Sequence, residues 1–412
     1  MIEPHGRKQL VDGRLTFGPK DFKEQLEAMP RLGIEPSYSH EAWNIATGVY
    51  TPLRGFMDMD EVETVADECF VPQGKKCVTW TLPVVLPIQP TGNKIREGWS
   101  YQLVEKTDPD KWGKLVGVVQ TAYPWKPTKK WLRKTGKQIY GNIHNHPGYD
   151  EWLKLSRRTM IAGEISMFDP GYETAADPRR TRRIFESREW RTVTAFQIRN
   201  APHRGHEYAM KAALNFTDGL FINPVLGPKK PGDFTDDAIM WANEMLVDQY
   251  MNQENVAFAP LHYTMRYAGP KEAIHHAIMR QNMGCSHIVI GRSHAEPGGA
   301  YGPYEAHEAF ETIAGPDLKI QPIKLKAYHW CDLCEEITNE KTCPHPDQWR
   351  RQFSGTMIRK LISEGHTPPS WMMRREIAMH LIDQKEDIFV EKPKPKPRSE
   401  PSKKPMLAEV KK

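Results

Sequence analysis

At 412 residues the chain is too long for one ordinary core, and its length excludes a small disulfide-stapled scaffold, so two or three packed domains are expected. The formal charge of +5 is matched by residues 391–412 alone, where eight basic residues face three acidic ones, so the body is neutral; that argues against a general nucleic-acid or membrane surface while leaving room for a local basic pocket for a small anion. No apolar run approaches the roughly 18 residues of a membrane helix, since TLPVVLPI is broken by Pro83 and Pro87, and the opening MIEPHGRKQLVDGR has no apolar signal core, so a cytoplasmic protein is expected.

Up to about residue 165 the chain mixes short β-rich runs (CVTWTLPVVLPI, KLVGVVQTAY) with turn punctuation (GPK, QPTGNK), which predicts a β-rich or α+β domain. In NIHNHPG, His144 and His146 read as surface polar residues of a Pro/Gly turn rather than a metal pair. MFDPGYETAADPRRTRRIF, residues 167–185, reads as a loop crossing into a second unit, and the four arginines of its PRRTRRIF run as a solvated helix face. The rhythm then changes. RTVTAFQ, LFINPVL, VAFAPL and SHIVIG are short apolar runs separated by helix-length amphipathic stretches such as HEYAMKAALNF and PKEAIHHAIMRQNM. That alternation predicts a parallel sheet flanked by helices, an α/β nucleotide fold. Lys229 and Lys230 of GPKKPGD follow one such strand, a place for a phosphate contact, but are discounted as site residues.

RTVTAFQIRNAPHRGHEYAM is the most informative segment. Its apolar strand ends at Gln197-Ile198-Arg199-Asn200, and a helix opens near His203-Arg204-Gly205-His206. Ligands of open α/β sheets sit beyond the carboxyl ends of strands, and a helix N-terminus there offers unpaired N–H groups to anions. Gly205 would let a phosphate approach the backbone, and two histidines three apart on one helical face can meet the same phosphate chain.

Further along, Cys331-x2-Cys334-x8-Cys343-x-His345 offers three thiolates and an imidazole, the ligand set of a closed structural zinc site in a reducing compartment. Cys-x-His is a short spacing for two ligands of one ion, so His329 and Asp347 are alternatives for the fourth position. SGTMIRKLISEG and REIAMHLIDQ then read as helices flanking a Pro-broken turn, HTPPSW, and the Lys/Pro-rich residues 391–412 read as disordered.

FQIRNAPHRGHE resembles the H-x-G-H nucleotidyltransferases, and the ATP sulfurylase signature in particular. The resemblance recurs in order. IATGVYTPLRGFM (residues 45–57) is similar to the family's G-x-[FY]-[ST]-P-L-x-G-F-M; MRYAGPKEAIHHAIMRQNMGCSHIVIGRSHAEPG resembles its R-Y-A-G-P-x-E-A to Gly-Arg-x-His-Ala block; YGPYEA and FSGTMIRKLISEG match two further segments. The resemblance implies an α/β protein with a PUA-like β-rich N-terminal domain (residues 1–168), a parallel-sheet nucleotidyltransferase domain (169–326) and a small C-terminal domain (327–390) before the tail. It also implies that ATP and sulfate give adenylylsulfate and pyrophosphate, with Mg2+ accompanying ATP. By resemblance, Gln197 and Arg199 match sulfate-binding positions with Asn200 at the reacting phosphate, and His203 and His206 meet the ATP phosphates and the leaving pyrophosphate. Gly291 and Arg292 match nucleotide and anion contacts, His294 a neighbouring polar contact, and Ala295 a backbone donor to sulfate.

Three positions depart from the family pattern. Ile198, within the substrate-binding stretch, stands where the family usually has Thr, and Ser293 and Glu296 replace the usual Asp and final Gly of Gly-Arg-Asp-His-Ala-Gly. No G-x-x-x-x-G-K-[ST] loop occurs, so an appended kinase is not expected. A homo-oligomer, a dimer, is expected from the family. The competing readings are a nucleotidyltransferase with another anionic acceptor and a non-catalytic RNA-binding protein; the neutral body disfavours the latter.

Overall fold

The computed structural model describes residues 1–16, 18, 20, 23–90, 94–108, 111–141, 145–169, 171, 176–384 and 388–391; apart from Glu391, the tail read as disordered lies outside them, as does His144. The β-rich runs of the first 170 residues pair into a six-stranded sheet, apart from Lys76–Thr79, which pairs with Phe70–Gln73 in a two-stranded sheet of its own. The order of the larger sheet is Arg31–Ile34, Tyr101–Glu105, Leu115–Trp125, Thr159–Met167, Gly55–Phe56, with Leu86–Ile88 also on the Thr159–Met167 strand. The first pair is parallel and the rest antiparallel.

The second unit alternates strand and helix, numbered here from its start: β1 Val193–Ile198, α1 Arg204–Leu214, β2 Gly219–Leu226, α2 Asp236–Tyr250, β3 Val256–Phe258, α3 Gly269–Asn282, β4 His287–Ile290, α4 Glu305–Thr312 and β5 Gln321–Lys324. These strands lie in the order β3-β2-β1-β4-β5, every pairing parallel. β2 is buried at all eight residues, as a central strand covered on both faces must be. The alternation of β1 divides the interior. Val193 and Ala195 join a core shared with Tyr50 and Trp80 of the N-terminal sheet unit and with Ile274 and Ile278 of α3. Phe196 and Ile198 join a second core with α1, α2 and the helices Gly355–Ser363 and Arg375–Asp383. The C-terminal segment therefore packs its helices onto the nucleotide-fold sheet, while its strands Glu336–Asn339, Tyr328–Cys331 and Arg350–Gln352 form a separate antiparallel sheet.

In the crossing segment PRRTRRIF is helical, as its sequence reading has it, but the surroundings of its arginines differ from that reading. Pro178–Ser187 is a helix, started by proline in its first turn and by the Asp177 side chain, which accepts from Arg179 N–H. Its arginines are not simply solvated. Arg182 donates to the carbonyls of Ile2, Gln281 and Asn282 at 2.8–2.9 Å, satisfying the last turn of α3, and Arg179 donates to Val11 and Thr47 carbonyls. A sequence window shows charge but not the carbonyls waiting for it. Arg182→Ala should lower stability by roughly 1–3 kcal/mol, because buried acceptors lose their donor; a denaturant midpoint equal to wild type would show that water replaces the guanidinium.

Candidate active site

Because side chains alternate along a strand, Gln197 and Arg199 at the end of β1 face a different way from Ile198. The first two line a cleft of about 480 Å³, within the roughly 300–1,000 Å³ typical of small-molecule sites. Ile198 is 4% exposed and points into the core, so its side chain is not a cleft group, contrary to its placement among the binding residues. Asn200, His203 and His206 complete one lip, and Gly291, Arg292, His294 and Ala295, beyond β4, form the other. All the predicted site residues of the two blocks except Ile198 thus meet in one cavity, at the point where the strand order reverses.

His203 is the N-cap of α1. Its Nδ1 accepts from His206 N–H at 3.1 Å, and His206 Nδ1 accepts from His203 N–H at 3.4 Å, a reciprocal capping box made of two imidazoles. With both Nδ1 atoms accepting, each neutral ring carries its hydrogen on Nε2, where it can donate to an anion. Burial drives both rings toward the neutral form, His203 well below the usual imidazole range and His206 to about 4. The rings stack at 3.6 Å, and Phe353 stacks on His203 at 5.0 Å. A side chain at position 205 would strike that Phe353 ring at 2.6 Å, so Gly205 makes room for a cleft wall as well as for any ligand.

Arg199 reaches Tyr267 Oη through Nη2 at 3.2 Å, and among the described residues no carboxylate pairs with Arg199 or Arg292. Gln197 Oε1 is buried without a partner. Lys230 brings its ammonium to 5.3 Å from the Tyr267 ring, whereas Lys229 is tied to Asp236 and the Gly227 carbonyl. The backbone at Tyr267, Ser293 and Ala295 is left-handed (φ 60°, 53° and 56°), a cluster of strained non-glycine positions at one site. His146, read above as a surface residue, is buried; it caps the helix Pro147–Lys154 and its Nε2 lies 3.0 Å from the Tyr267 carbonyl, so it props the Tyr267 loop.

The remaining wall comes from the cysteine segment: Lys326, Tyr328, Gln352 and Phe353. Cys331, Cys334, Cys343 and His345 place one ligand atom each within 4.8 Å of one another. His345 Nδ1 lies 3.2–3.8 Å from the three sulfurs, and Cys334 and Cys343 sulfurs are 3.9 Å apart. A disulfide needs about 2.05 Å; a tetrahedron with bonds of about 2.0–2.3 Å has edges of roughly 3.5–3.8 Å. The cluster fits a metal ion, and His345, not His329 or Asp347, is its fourth member.

The ATP-sulfurylase family profile matches residues 173–384, and a PUA-like domain profile matches residues 2–170. The sulfate adenylyltransferase of Hyperthermus butylicus is 38% identical over 400 residues, covering 95% of this chain and 96% of that one. Those of Ignicoccus hospitalis and Thermococcus onnurineus are each 39% identical, covering 94% of this chain and 99% of theirs. The chain belongs to the ATP-sulfurylase family. Among solved structures it superposes on the hexameric APS kinase from Thiobacillus denitrificans with a TM-score of 0.69 at 20% identity, over 93% of this chain and 68% of that one, a likeness of fold.

Within this ATP-sulfurylase fold, sequence reasoning quoted the segments holding Tyr267 and Phe353 without assigning those side chains a place in the cleft. Lys326, Tyr328 and Gln352 carry no local signal, because they reach the cleft only through the packing of the small sheet. His203→Asn tests the double duty of the capping histidine. An Asn oxygen still caps the helix, but no group reaches the cleft as Nε2–H does, so the melting temperature should stay near wild type while adenylyl transfer falls about 100-fold or more. A large loss of stability with little loss of activity would assign His203 to capping alone.

Proposed function

We propose that the protein joins ATP and sulfate to give adenylylsulfate and pyrophosphate, reversibly, by direct attack of a sulfate oxygen on the α-phosphorus. The new S–O–P bridge forms as the bond from the α-phosphorus to pyrophosphate breaks, so no covalent protein intermediate is needed. The task is to hold two anions together against their repulsion and to stabilise charge on the transferring and leaving groups. One observation carries this reading: one cleft gathers two arginines that pair with no carboxylate among the described residues, Arg199 beside and Arg292 across from two imidazoles fixed as Nε2–H donors at a helix N-terminus.

In this proposal the Arg199 guanidinium grips two sulfate oxygens as a planar fork, with Gln197 beside it and Ala295 contributing its backbone N–H. Asn200 sits by the α-phosphate; His203 and His206 donate to the phosphates and to departing pyrophosphate. Gly291, Arg292 and His294 meet the nucleotide and its charge from the other lip, and Ile198 supports the strand from the core. Mg2+ arrives with ATP, held mainly by phosphates and water. The domain limits proposed are those read from the sequence, and the protein acts in the cytoplasm as a homodimer.

Zinc is the metal proposed for Cys331, Cys334, Cys343 and His345, since three thiolates and an imidazole suit it best. Its role would be to hold the small sheet that carries Tyr328 and leads into Phe353. Stripping the metal with a chelator should lower the melting temperature and loosen that wall, read as faster hydrogen exchange at residues 328–353. Metal analysis of protein purified without chelators that found no zinc would refute the assignment.

Pyrophosphate-dependent ATP formation from adenylylsulfate, in wild type beside Arg199→Ala, tests the reaction. The mutant should lose about 100-fold or more of the wild-type rate. A wild type without activity would point to a different acceptor anion.

A further inference from the structure

Behind the cleft three side chains stand in line, two of them given no part in the reaction above. Glu272, in the first turn of α3, is fully buried and accepts from Tyr263 Oη, Arg266 N–H and Ala268 N–H at 2.8–2.9 Å. One turn on, fully buried His276 sets Nε2 3.5 Å from Glu272 Oε1 and Nδ1 3.0 Å from Nε2 of His294. Nε2 of His276 has no other partner among the described residues.

The positions of the hydrogens follow from the carboxylate. A lone pair on His276 Nε2 would face negative charge, so that nitrogen carries the hydrogen, and Nδ1 of the neutral ring is bare. The hydrogen shared by the two rings then belongs to His294 Nε2, and a neutral His294 is left with a bare Nδ1 as its remaining polar atom. His294 lines the cleft. An anion arriving there meets a lone pair, which repels it, unless the ring gains a proton.

The charges around the pair oppose that proton while the cleft is empty. Burial holds both rings below the usual imidazole range, His294 to about 3, and Arg280 pushes both the same way; Arg199 adds to this at His276, and His276 and His307 at His294, where Glu272 alone pulls back, while the loop of His294 itself also carries Arg292 and Glu296. A bound oxyanion reverses the local field.

We propose that His294 takes up a proton from solvent at Nδ1 when the oxyanion substrate binds, and that Glu272 and His276 are the positioning residues that hold the resulting imidazolium between a carboxylate relay and the ligand. This rests on the adenylyl-transfer reading of the cleft. Adenylylsulfate is a suitable probe because its mixed anhydride has no group that titrates near neutral pH. Titration calorimetry of adenylylsulfate at one neutral pH, in buffers of different ionisation enthalpy, counts protons taken up. The wild type should take up about one proton per ligand bound. His294→Asn should abolish the buffer dependence, and His276→Leu should diminish it, because the freed His294 can then turn a neutral N–H toward the ligand. Equal binding enthalpies in every buffer for the wild type, or an unchanged proton count in His294→Asn, would overturn the inference while leaving the reaction intact. No binding of adenylylsulfate at all would bring down the reading of the cleft and this inference with it.

Discussion

β1 and β4 pair side by side in parallel, yet the chain leaves them in opposite directions, from β1 through α1 toward β2 and from β4 through α4 toward β5. No connection covers the gap between them, so a crevice opens beyond their carboxyl ends. Each lip is supplied by the turn that leaves one strand, and the first carries a helix N-terminus with its unpaired donors. The other features of the cleft hang on that reversal. Two lips at fixed separation let Arg199 and Arg292, from separate segments, converge on one volume with no carboxylate paired to either among the described residues, which is the arrangement that two mutually repelling anions require.

Convergence of that kind needs a stiff support, and the N-terminal unit provides much of it. Arg266 is paired with Glu41 at 3.1 Å, Tyr50 donates to the same carboxylate at 2.7 Å, and His146 holds the Tyr267 carbonyl. These contacts fix the loop whose next side chain, Tyr267, touches Arg199. Burying charges costs several kcal/mol per ion unless they are paired and hydrogen-bonded, so such a network specifies one loop geometry more than it adds stability. Arg280 shows the same logic: fully buried, it donates to Asn223 Oδ1 at 2.6 Å, locking α3 to β2 beneath the cleft.

What the sequence made legible was local. The strand, polar turn and helix around Gln197 to His206 share one short stretch, so their chemistry and geometry can be read together, and the same holds for the metal ligands clustered between Cys331 and His345. Roles that depend on a distant partner were not legible. Arg182 looks solvated until the end of α3 is brought against it, and His146 looks like a turn residue until Tyr267 arrives from more distant sequence. The cleft wall from the small sheet belongs to the same class, because its residues are chosen by packing rather than by periodicity. Ile198 erred the other way: adjacency to Gln197 and Arg199 suggested a binding role, and strand alternation turned its side chain into the core.

The departures from the family pattern have local causes that leave the charge of the cleft in place. The side chain at position 198 belongs to the same apolar cluster as Phe196, Met210 and Ile222, where isoleucine buries without an unpaired hydroxyl. Ser293 occupies a left-handed turn that Asp tolerates more readily, but its N–H donates to the Pro303 carbonyl at 2.8 Å, which holds the turn from outside. Glu296 brings a carboxylate to the rim of an anion site, which would oppose binding if it were free. Its Oε1 instead accepts from Gly298 and Ala300 N–H at 2.6–2.7 Å, organising the glycine-containing loop that follows and drawing its charge onto backbone donors. Substitution at the rim is therefore coupled to loop structure, and Arg199 and Arg292 remain the groups that set the sign of the potential an incoming anion meets.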